Sequence, residues 1–253
     1  MATIIGGNGT GTLDSSLYQL NRNDTTGAGT AGHGEQVYIN VTNGNVVIDH
    51  LDQFLPSETN NFLTLRTYNS RGQFGPPDGE GWDSTEFSRL SLITPGQIVV
   101  TNGDGSQFSF VFDPSSGVYR STDGAGAYET ISFNARNATY SLVQSNQTVL
   151  TYDFTGRLLQ SKDTNGNTIT YSYDILGHLS SIADNDGHRL DFIYQLGQLS
   201  RIQDETGTVF ATYHYFGNEL TRKALESHYG AAFSKPVLKC LVLLNRKFGL
   251  LPA

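Results

Sequence analysis

The sequence predicts an all-β protein in which antiparallel hairpins stack side by side as a β-ribbon or partial spiral shell. Three observations predict this fold class. Gly accounts for 28 of 253 residues and charged residues for only 16%, a composition unlike that of a helical bundle. Short apolar runs alternate with Asn-Gly and Asp-Gly turn signals. One such unit then recurs every 21 residues from Tyr152.

The bulk composition excludes several classes of function. The net charge of -8 and the pI near 5.1 argue against nucleic-acid binding, which needs a basic face. The single Cys240 rules out an internal disulfide framework. No basic and apolar signal peptide begins the chain, and the most apolar window, residues 237–244, is too short to span a membrane.

The first segment, residues 1–34, is rich in Gly and Thr and reads as a leader and linker. Residues 6–13 resemble one copy of the glycine-rich nonapeptide of the repeats-in-toxin family, which binds calcium. Gly11 stands where that motif has its Asp ligand, and no second copy follows. A flexible leader is therefore the favoured interpretation of this segment.

The second segment, residues 35–103, reads as a small β module. Residues 37–41 and 46–48 flank Asn43-Gly44 and predict a hairpin. Further strands are expected at residues 62–68, 89–93 and 97–101, and a loop at 72–81 because it contains two prolines.

The third segment, residues 104–219, contains the repeat. The first two units read Tyr-Asp-x-x-Gly-x-Leu, and the third, at residues 194–199, is degraded and one residue shorter. In all three an Asp-x-x-Gly turn begins five residues after the Leu. The positions that define the units and that we expect to be structural are Tyr152, Asp153, Gly156, Leu158, Asp163, Gly166, Tyr173, Asp174, Gly177, Leu179, Asp184, Gly187, Gly197, Leu199, Asp204 and Gly207. A related Asp104-Gly105 pair suggests that the array begins before residue 110.

Each unit supplies two short strands and two tight turns, and a lone hairpin of this size is only marginally stable in water. Neighbouring units must therefore lie edge to edge and share a core. Large side chains at period two, such as Tyr171 and Tyr173, place the bulky residues on one face of each strand.

These units resemble the YD repeats of the Rhs family, which occur in bacterial polymorphic toxins, insecticidal toxin complexes and teneurins. Residues 40–47, the Asp-x-x-Leu-Pro turn at 52–56 and Leu-Arg-Thr-Tyr-Asn-Ser at 65–70 resemble the module that precedes such repeats. The resemblance covers roughly residues 35–215 and implies a hollow β-shell that encloses a toxin or displays a binding surface. It also implies the remainder of an Rhs shell and a toxin cargo as partners, and a secreted or cell-surface location reached without a Sec signal, or a cytoplasmic one if the chain is not exported.

The expected function is a non-enzymatic structural scaffold, either part of a shell around a toxin cargo or a surface-exposed adhesion element. Repeats place equivalent carboxylates in equivalent surroundings, whereas catalysis needs unlike groups. No cofactor or metal site is expected: the Asp184-x-Asp186 start of a calcium loop lacks Glu at its twelfth position. The alternative is a carbohydrate-binding module of the cell envelope, with Tyr171, Tyr173 and Tyr194 stacking on sugars and a glycan as partner.

The fourth segment, residues 220–253, is expected to be a divergent basic tail. It carries 6 Lys/Arg against 1 Asp/Glu, whereas residues 1–219 carry 10 against 23. The few repeats suggest the amino-terminal fragment of a longer Rhs-type protein, with a tail that arose by frameshift or rearrangement. Open strand edges then predict self-association.

Overall fold

The computed structural model describes residues 8–9, 11, 17–19, 36–41, 44–55, 62–70, 82–84, 88–121, 126–217 and 219–225. Within these ranges the chain is antiparallel β-structure in two sheets, and the predicted fold class is confirmed. The strands are β1 Asn8–Gly9, β2 Leu17–Gln19, β3 Gln36–Asn40, β4 Val46–Leu55, β5 Phe62–Asn69, β6 Trp82–Ser84, β7 Arg89–Thr94, β8 Gln97–Thr101, β9 Ser106–Asp113, β10 Val118–Ser121, β11 Thr130–Asn134, β12 Thr139–Val143, β13 Val149–Asp153, β14 Leu158–Lys162, β15 Thr168–Tyr173, β16 Leu179–Asp184, β17 Arg189–Gln195, β18 Gln198–Asp204, β19 Val209–Phe216 and β20 Glu219–Leu225.

The smaller sheet contains five strands in the order β2-β3-β4-β5-β6. The predicted Asn-Gly hairpin joins β3 to β4, where Gly44 takes a φ of 72° and its N–H donates to the Asn40 carbonyl at 2.8 Å. Four buried apolar residues form the core of this sheet: Val37, Val46, Ile48 and Tyr68. β4 continues through Leu55 and pairs with β5, so the turn expected at residues 52–56 is strand as far as Leu55, and residue 56 lies outside the described residues.

The larger sheet contains 15 strands, and from β7 to β20 each strand pairs with the next in chain order. The predicted strands at 89–93, 97–101 and beyond are confirmed within it. Along strands such as β12 and β17 buried residues alternate with less buried ones, as expected when a single face carries the core. Side chains of that face form one continuous cluster from Leu90 on β7 to Tyr213 on β19.

The larger sheet curls back on itself, so that β7 contacts the turn between β13 and β14. The N–H of Leu90 on β7 donates to the carbonyl of Gly156, between β13 and β14, at 2.9 Å. An isolated antiparallel bridge joins Arg89 to Arg157 beside it. A single sheet with both faces in water could not bury Ile98 and Ile131 to 0% exposure. The curl therefore turns the apolar face inward, where the side chains cover one another.

The strands can be placed on the predicted segments, which stay predictions. Residues 1–34 contribute strands to both sheets, since β1 pairs with β9 and β2 with β3. Within segment 35–103 the smaller sheet ends with β6 at Ser84 and β7 of the larger sheet begins at Arg89. β20 spans residue 220, where the tail is expected to begin, and pairs with β19; residues 226–253, the whole loop predicted at 72–81 and most of the glycine motif at 6–13 lie outside the described residues.

The smaller sheet packs against the far end of the larger one. The guanidinium of Arg66 on β5 lies 4.7 Å from the ring centroid of Tyr213 on β19, and both side chains are buried. A cation held against an aromatic face away from water is a favourable contact. The pair therefore joins the two sheets.

Candidate functional site

The tyrosines that begin the repeat units lie at equivalent places on alternate strands of the larger sheet. Tyr152 lies near the end of β13, Tyr173 ends β15, and Tyr194 lies near the end of β17. In each case the register shifts just before the tyrosine, which then faces the leucine of the same unit: Tyr152 with Leu158, Tyr173 with Leu179, and Tyr194 with Leu199. The prediction that successive units lie side by side is confirmed, and a β-bulge accompanies each of the three Tyr–Leu pairs.

Asp153 organises the turn between β13 and β14. Its Oδ1 accepts hydrogen bonds from the N–H of Thr155 at 2.9 Å and of Arg157 at 3.0 Å. Its Oδ2 accepts a third from Nε of Arg157 at 2.8 Å. Gly156 completes the turn with a φ of 89°, which the absence of a side chain makes possible. The carboxylate thus satisfies turn amides that have no strand partner.

The same arrangement recurs in the other turns of the repeat. Each turn Asp accepts hydrogen bonds from the N–H groups two and four residues ahead at 2.8 to 2.9 Å, at Asp163, Asp174, Asp184 and Asp204. The second carboxylate oxygen contacts the side chain four residues ahead in three of them: Asn167, His178 and His188. The side chain at that position varies, whereas the carboxylate is shared.

These hydrogen bonds also set the protonation of the turn carboxylates. Burial raises the pKa of Asp163, Asp174 and Asp204, but the hydrogen bonds from the turn N–H groups and side chains outweigh it and hold each pKa below its usual range. Equivalent ionised groups in equivalent turns do not form the unlike acid and base pair that catalysis uses. The geometry therefore supports a structural role for the repeat Asp residues.

One turn brings three possible metal ligands together. Ligand atoms of Asp184, Asp186 and His188 lie within 4.8 Å of one another. Both oxygens of Asp184 are engaged in the turn, accepting from the N–H of Asp186 and of His188 and contacting His188 Nδ1 at 3.0 Å. Calcium needs six to eight oxygen ligands, and this turn brings together only three candidate groups, of which the Asp184 carboxylate already bonds to the turn.

The side chains before the first two repeat leucines pack on the tyrosine of the next unit. The guanidinium of Arg157 lies 5.0 Å from the ring centroid of Tyr173, and the imidazole of His178 stacks on Tyr194 with 4.8 Å between centroids. The hydroxyl of Tyr173 donates to the carbonyl of Leu158 at 2.8 Å, and burial raises the pKa of Tyr173 to about 12. Each unit is therefore tied to the next through an aromatic ring.

The three tyrosines predicted to bind sugars occupy this inner packing. Tyr171 is 8% exposed and belongs to the core. Tyr173 and Tyr194 are partly buried against that core, and each has a ring face covered by its neighbour. A ring stacks on a sugar through a free face, so sugar binding at Tyr173 and Tyr194 would use the face opposite these contacts, and it stays a prediction.

The hairpin turns at the two ends of the strands of the larger sheet differ in chemistry. We call the row of turns after β13, β15, β17 and β19 the Tyr-Asp rim. We call the row of turns after β14, β16 and β18, at the opposite strand ends, the polar rim. Exposed apolar side chains stand at the tips of the Tyr-Asp rim: Phe154, Ile175, Leu176, Leu196 and Phe216. The corresponding tips of the polar rim are Thr164, Asn165, Asn185, Asp186, Glu205 and Thr206.

This difference was not predicted, although the sequence contains a signal for it. The variable positions of the Tyr-Asp turns include apolar residues, whereas those of the Asp-x-x-Gly turns are all polar. The wrap of β7 onto the Tyr-Asp rim had no such signal. Tyr152 and Ser88, whose hydroxyl oxygens are 2.8 Å apart beneath that contact, are 64 residues apart in the chain.

Comparisons with known families agree with this geometry. Residues 37–110 match the family described as Domain of unknown function (DUF6531), and residues 148–189 match the family described as RHS Repeat. No curated protein matches the chain. Among the described residues, no helix has the length and apolar character needed to cross a membrane. A DUF6531 match followed by an RHS-repeat match, with the repeat tyrosines on alternate strands, is consistent with an Rhs/YD-repeat protein fragment.

Proposed function

We propose that this chain is a wall element of a β-shell that encloses a toxin cargo. The RHS repeats form a structural scaffold, and the enclosing role extends that assignment. The observation that carries the proposal is the winding of the larger sheet: β7 meets the turn between β13 and β14, yet six further strands follow in the same sheet.

Winding distinguishes a shell from a closed barrel. A barrel ends where its first and last strands pair, so that no edge is left. Here Arg157, in the turn before β14, bridges Arg89 of β7, and β14 then pairs with β15. The sheet therefore passes its own beginning, and each added unit lengthens the wall while the apolar face remains inside.

The repeat chemistry supports a wall and not a catalyst. The turn carboxylates bond to their own amides, and the tyrosines pack between neighbouring units. Such contacts hold strands at fixed spacing and leave the described repeat with a continuous inner face. A non-enzymatic scaffold is the role that these contacts support.

The proposal is tested by isolating the tagged chain from the cells that make it. We expect it to purify in a larger particle with polypeptide that carries further Tyr-Asp units, and we expect the enclosed polypeptide to survive protease treatment until the particle is denatured. A free chain in the envelope fraction that binds a defined glycan on an array, and loses that binding in Tyr173→Ala while remaining folded, would overturn the shell in favour of a carbohydrate-binding module.

A further inference from the structure

The Tyr-Asp rim exposes more apolar surface than a soluble sheet edge ordinarily does. Ile175 is 100% exposed, Leu196 103% and Phe216 80%. Same-side turns are two strands apart, roughly 10 Å, so the three tips form a row about 20 Å long. Isolated exposed apolar residues are common, but a regular row of them along one edge marks an interaction surface.

The first turn of the same rim shows what this edge binds. At Gly156 the rim holds the backbone edge of β7, through the N–H of Leu90 and the bridge between Arg89 and Arg157. The Leu90 carbonyl occupies the space that a side chain at Gly156 would need. Glycine is therefore required here for the close approach of a second backbone as well as for its φ.

The next three turns of the Tyr-Asp rim each have a glycine equivalent to Gly156, but no described strand lies against it. Gly177, Gly197 and Gly217 have φ values of 88°, 79° and 61°, all positive like that of Gly156. No described atom lies within 4 Å of a side chain built at Gly197 or Gly217, and only Nη1 of Arg157, at 3.9 Å, approaches one at Gly177. The turns at Gly177 and Gly197 leave open the space that β7 fills at Gly156. At Gly217 the side-chain space is also open, but the carbonyl already accepts a hydrogen bond from Nε2 of Gln198 at 2.8 Å.

Charge indicates which strands suit this surface. Residues 126–217, which include most of the repeat, carry 5 Lys/Arg and 9 Asp/Glu. β7 itself, Arg-Leu-Ser-Leu-Ile-Thr, alternates apolar and polar side chains and carries one positive charge. An acidic strand would be repelled by the repeat, whereas a neutral or basic one would be attracted.

We propose that the Tyr-Asp rim from Ile175 to Phe216 is a docking site for the edge of an extended, apolar, neutral or basic β-strand from another polypeptide. The strand would bond its backbone to a turn carbonyl, as Leu90 does at Gly156, and cover the neighbouring apolar tips with its own side chains. Backbone hydrogen bonds would supply affinity and the row of tips would supply specificity. The inference does not require the enclosed cargo proposed above.

The test uses the full chain and a fluorescent peptide copy of residues 88–95. We expect the peptide to bind, with a peptide of the same composition in scrambled order binding at least about tenfold more weakly, which is 1.4 kcal/mol. The double variant Leu196→Asp/Phe216→Asp places charges on the tips and should weaken binding by a similar factor. The matched control, Thr164→Asp on the exposed polar rim, should leave it unchanged.

Circular dichroism of each variant establishes that the fold is intact, and sedimentation at the assay concentration reports the oligomeric state. The proposal is overturned if the peptide does not bind, if the scrambled peptide binds equally, or if Thr164→Asp causes the same loss. The proposal is also overturned if the chain forms a dimer that Leu196→Asp dissociates but the peptide does not. The rim would then bind a second copy of the chain.

Discussion

Replacing Gly156 by Ala tests whether the curl of the larger sheet depends on the contact between β7 and the Tyr-Asp rim. A methyl group at Gly156 would overlap the Leu90 carbonyl oxygen and lie 2.8 Å from its carbonyl carbon. Gly166 provides the matched control. It has nearly the same φ, 91° against 89°, and nothing described lies within 4 Å of a side chain built there.

Both substitutions strain the backbone, but only Gly156→Ala also disturbs the contact with β7. An alanine in the left-handed region costs about 1 to 2 kcal/mol, and this alone applies to Gly166→Ala. Gly156→Ala must also displace β7, which breaks the Leu90 hydrogen bond and strains the one between Tyr152 and Ser88. Each such bond contributes about 1 kcal/mol, so we expect Gly156→Ala to lower the free energy of unfolding by about 3 to 4 kcal/mol.

Urea denaturation followed by circular dichroism measures both variants. For a chain of this size 1 kcal/mol shifts Tm by about 2 to 4 °C, so thermal melts should separate the two by about 4 to 8 °C. Equal losses in Gly156→Ala and Gly166→Ala would refute the reasoning, because the docking of β7 would then contribute nothing to stability.

Three further substitutions test other parts of the structure. Tyr152→Phe removes the buried hydrogen bond to Ser88 and should cost about 1 to 2 kcal/mol in urea denaturation; an unchanged midpoint would contradict that bond. The hydrogen bond that the His188 imidazole donates to the Asp184 carboxylate raises the pKa of His188 above 6.5, so its stabilisation is full below pH 6.5 and disappears as the pH rises through the raised value. His188→Asn, which imitates Asn167 in the preceding turn, should therefore flatten the pH dependence of Tm between pH 6 and 8, and an unchanged slope would argue against the pair. Leu196→Asn should raise stability by about 1 kcal/mol in thermal melts, because Leu196 has a φ of 53° and Asn-Gly favours that turn; a lower Tm would show that the leucine is needed in the folded chain.

The repeat could be placed from the sequence because its signals are local. Glycine and Asp mark the turns, and alternation marks the inner face, so Tyr152 and Tyr173 could be assigned to neighbouring hairpins. The docking of Leu90 on Gly156 could not be predicted, since a backbone contact between segments 66 residues apart leaves no periodic pattern.

Two element boundaries were also beyond local rules. Asp52 and Pro56 suggested a turn, yet β4 runs through Leu55 because β5 pairs with it along that length, and tertiary pairing overrides weak turn signals. Basic composition suggested that the tail begins at Leu220. Pairing opposite Tyr215 nevertheless keeps that leucine in β20, in the place that Leu199 takes opposite Tyr194.

The bulge before each repeat tyrosine constrains how such an array can change in length. At each of the three Tyr–Leu pairs the strand that follows the tyrosine carries one extra residue, and each unit adds two strands, so gain or loss of a whole unit returns the chain to the same rim. Gain or loss of a single strand would send all later Tyr-Asp turns to the polar rim, and a slip of one residue in the register would also reverse which face their side chains take. Recombination that joins such genes out of phase should therefore yield insoluble products, whereas in-phase exchange should yield longer or shorter walls that still fold.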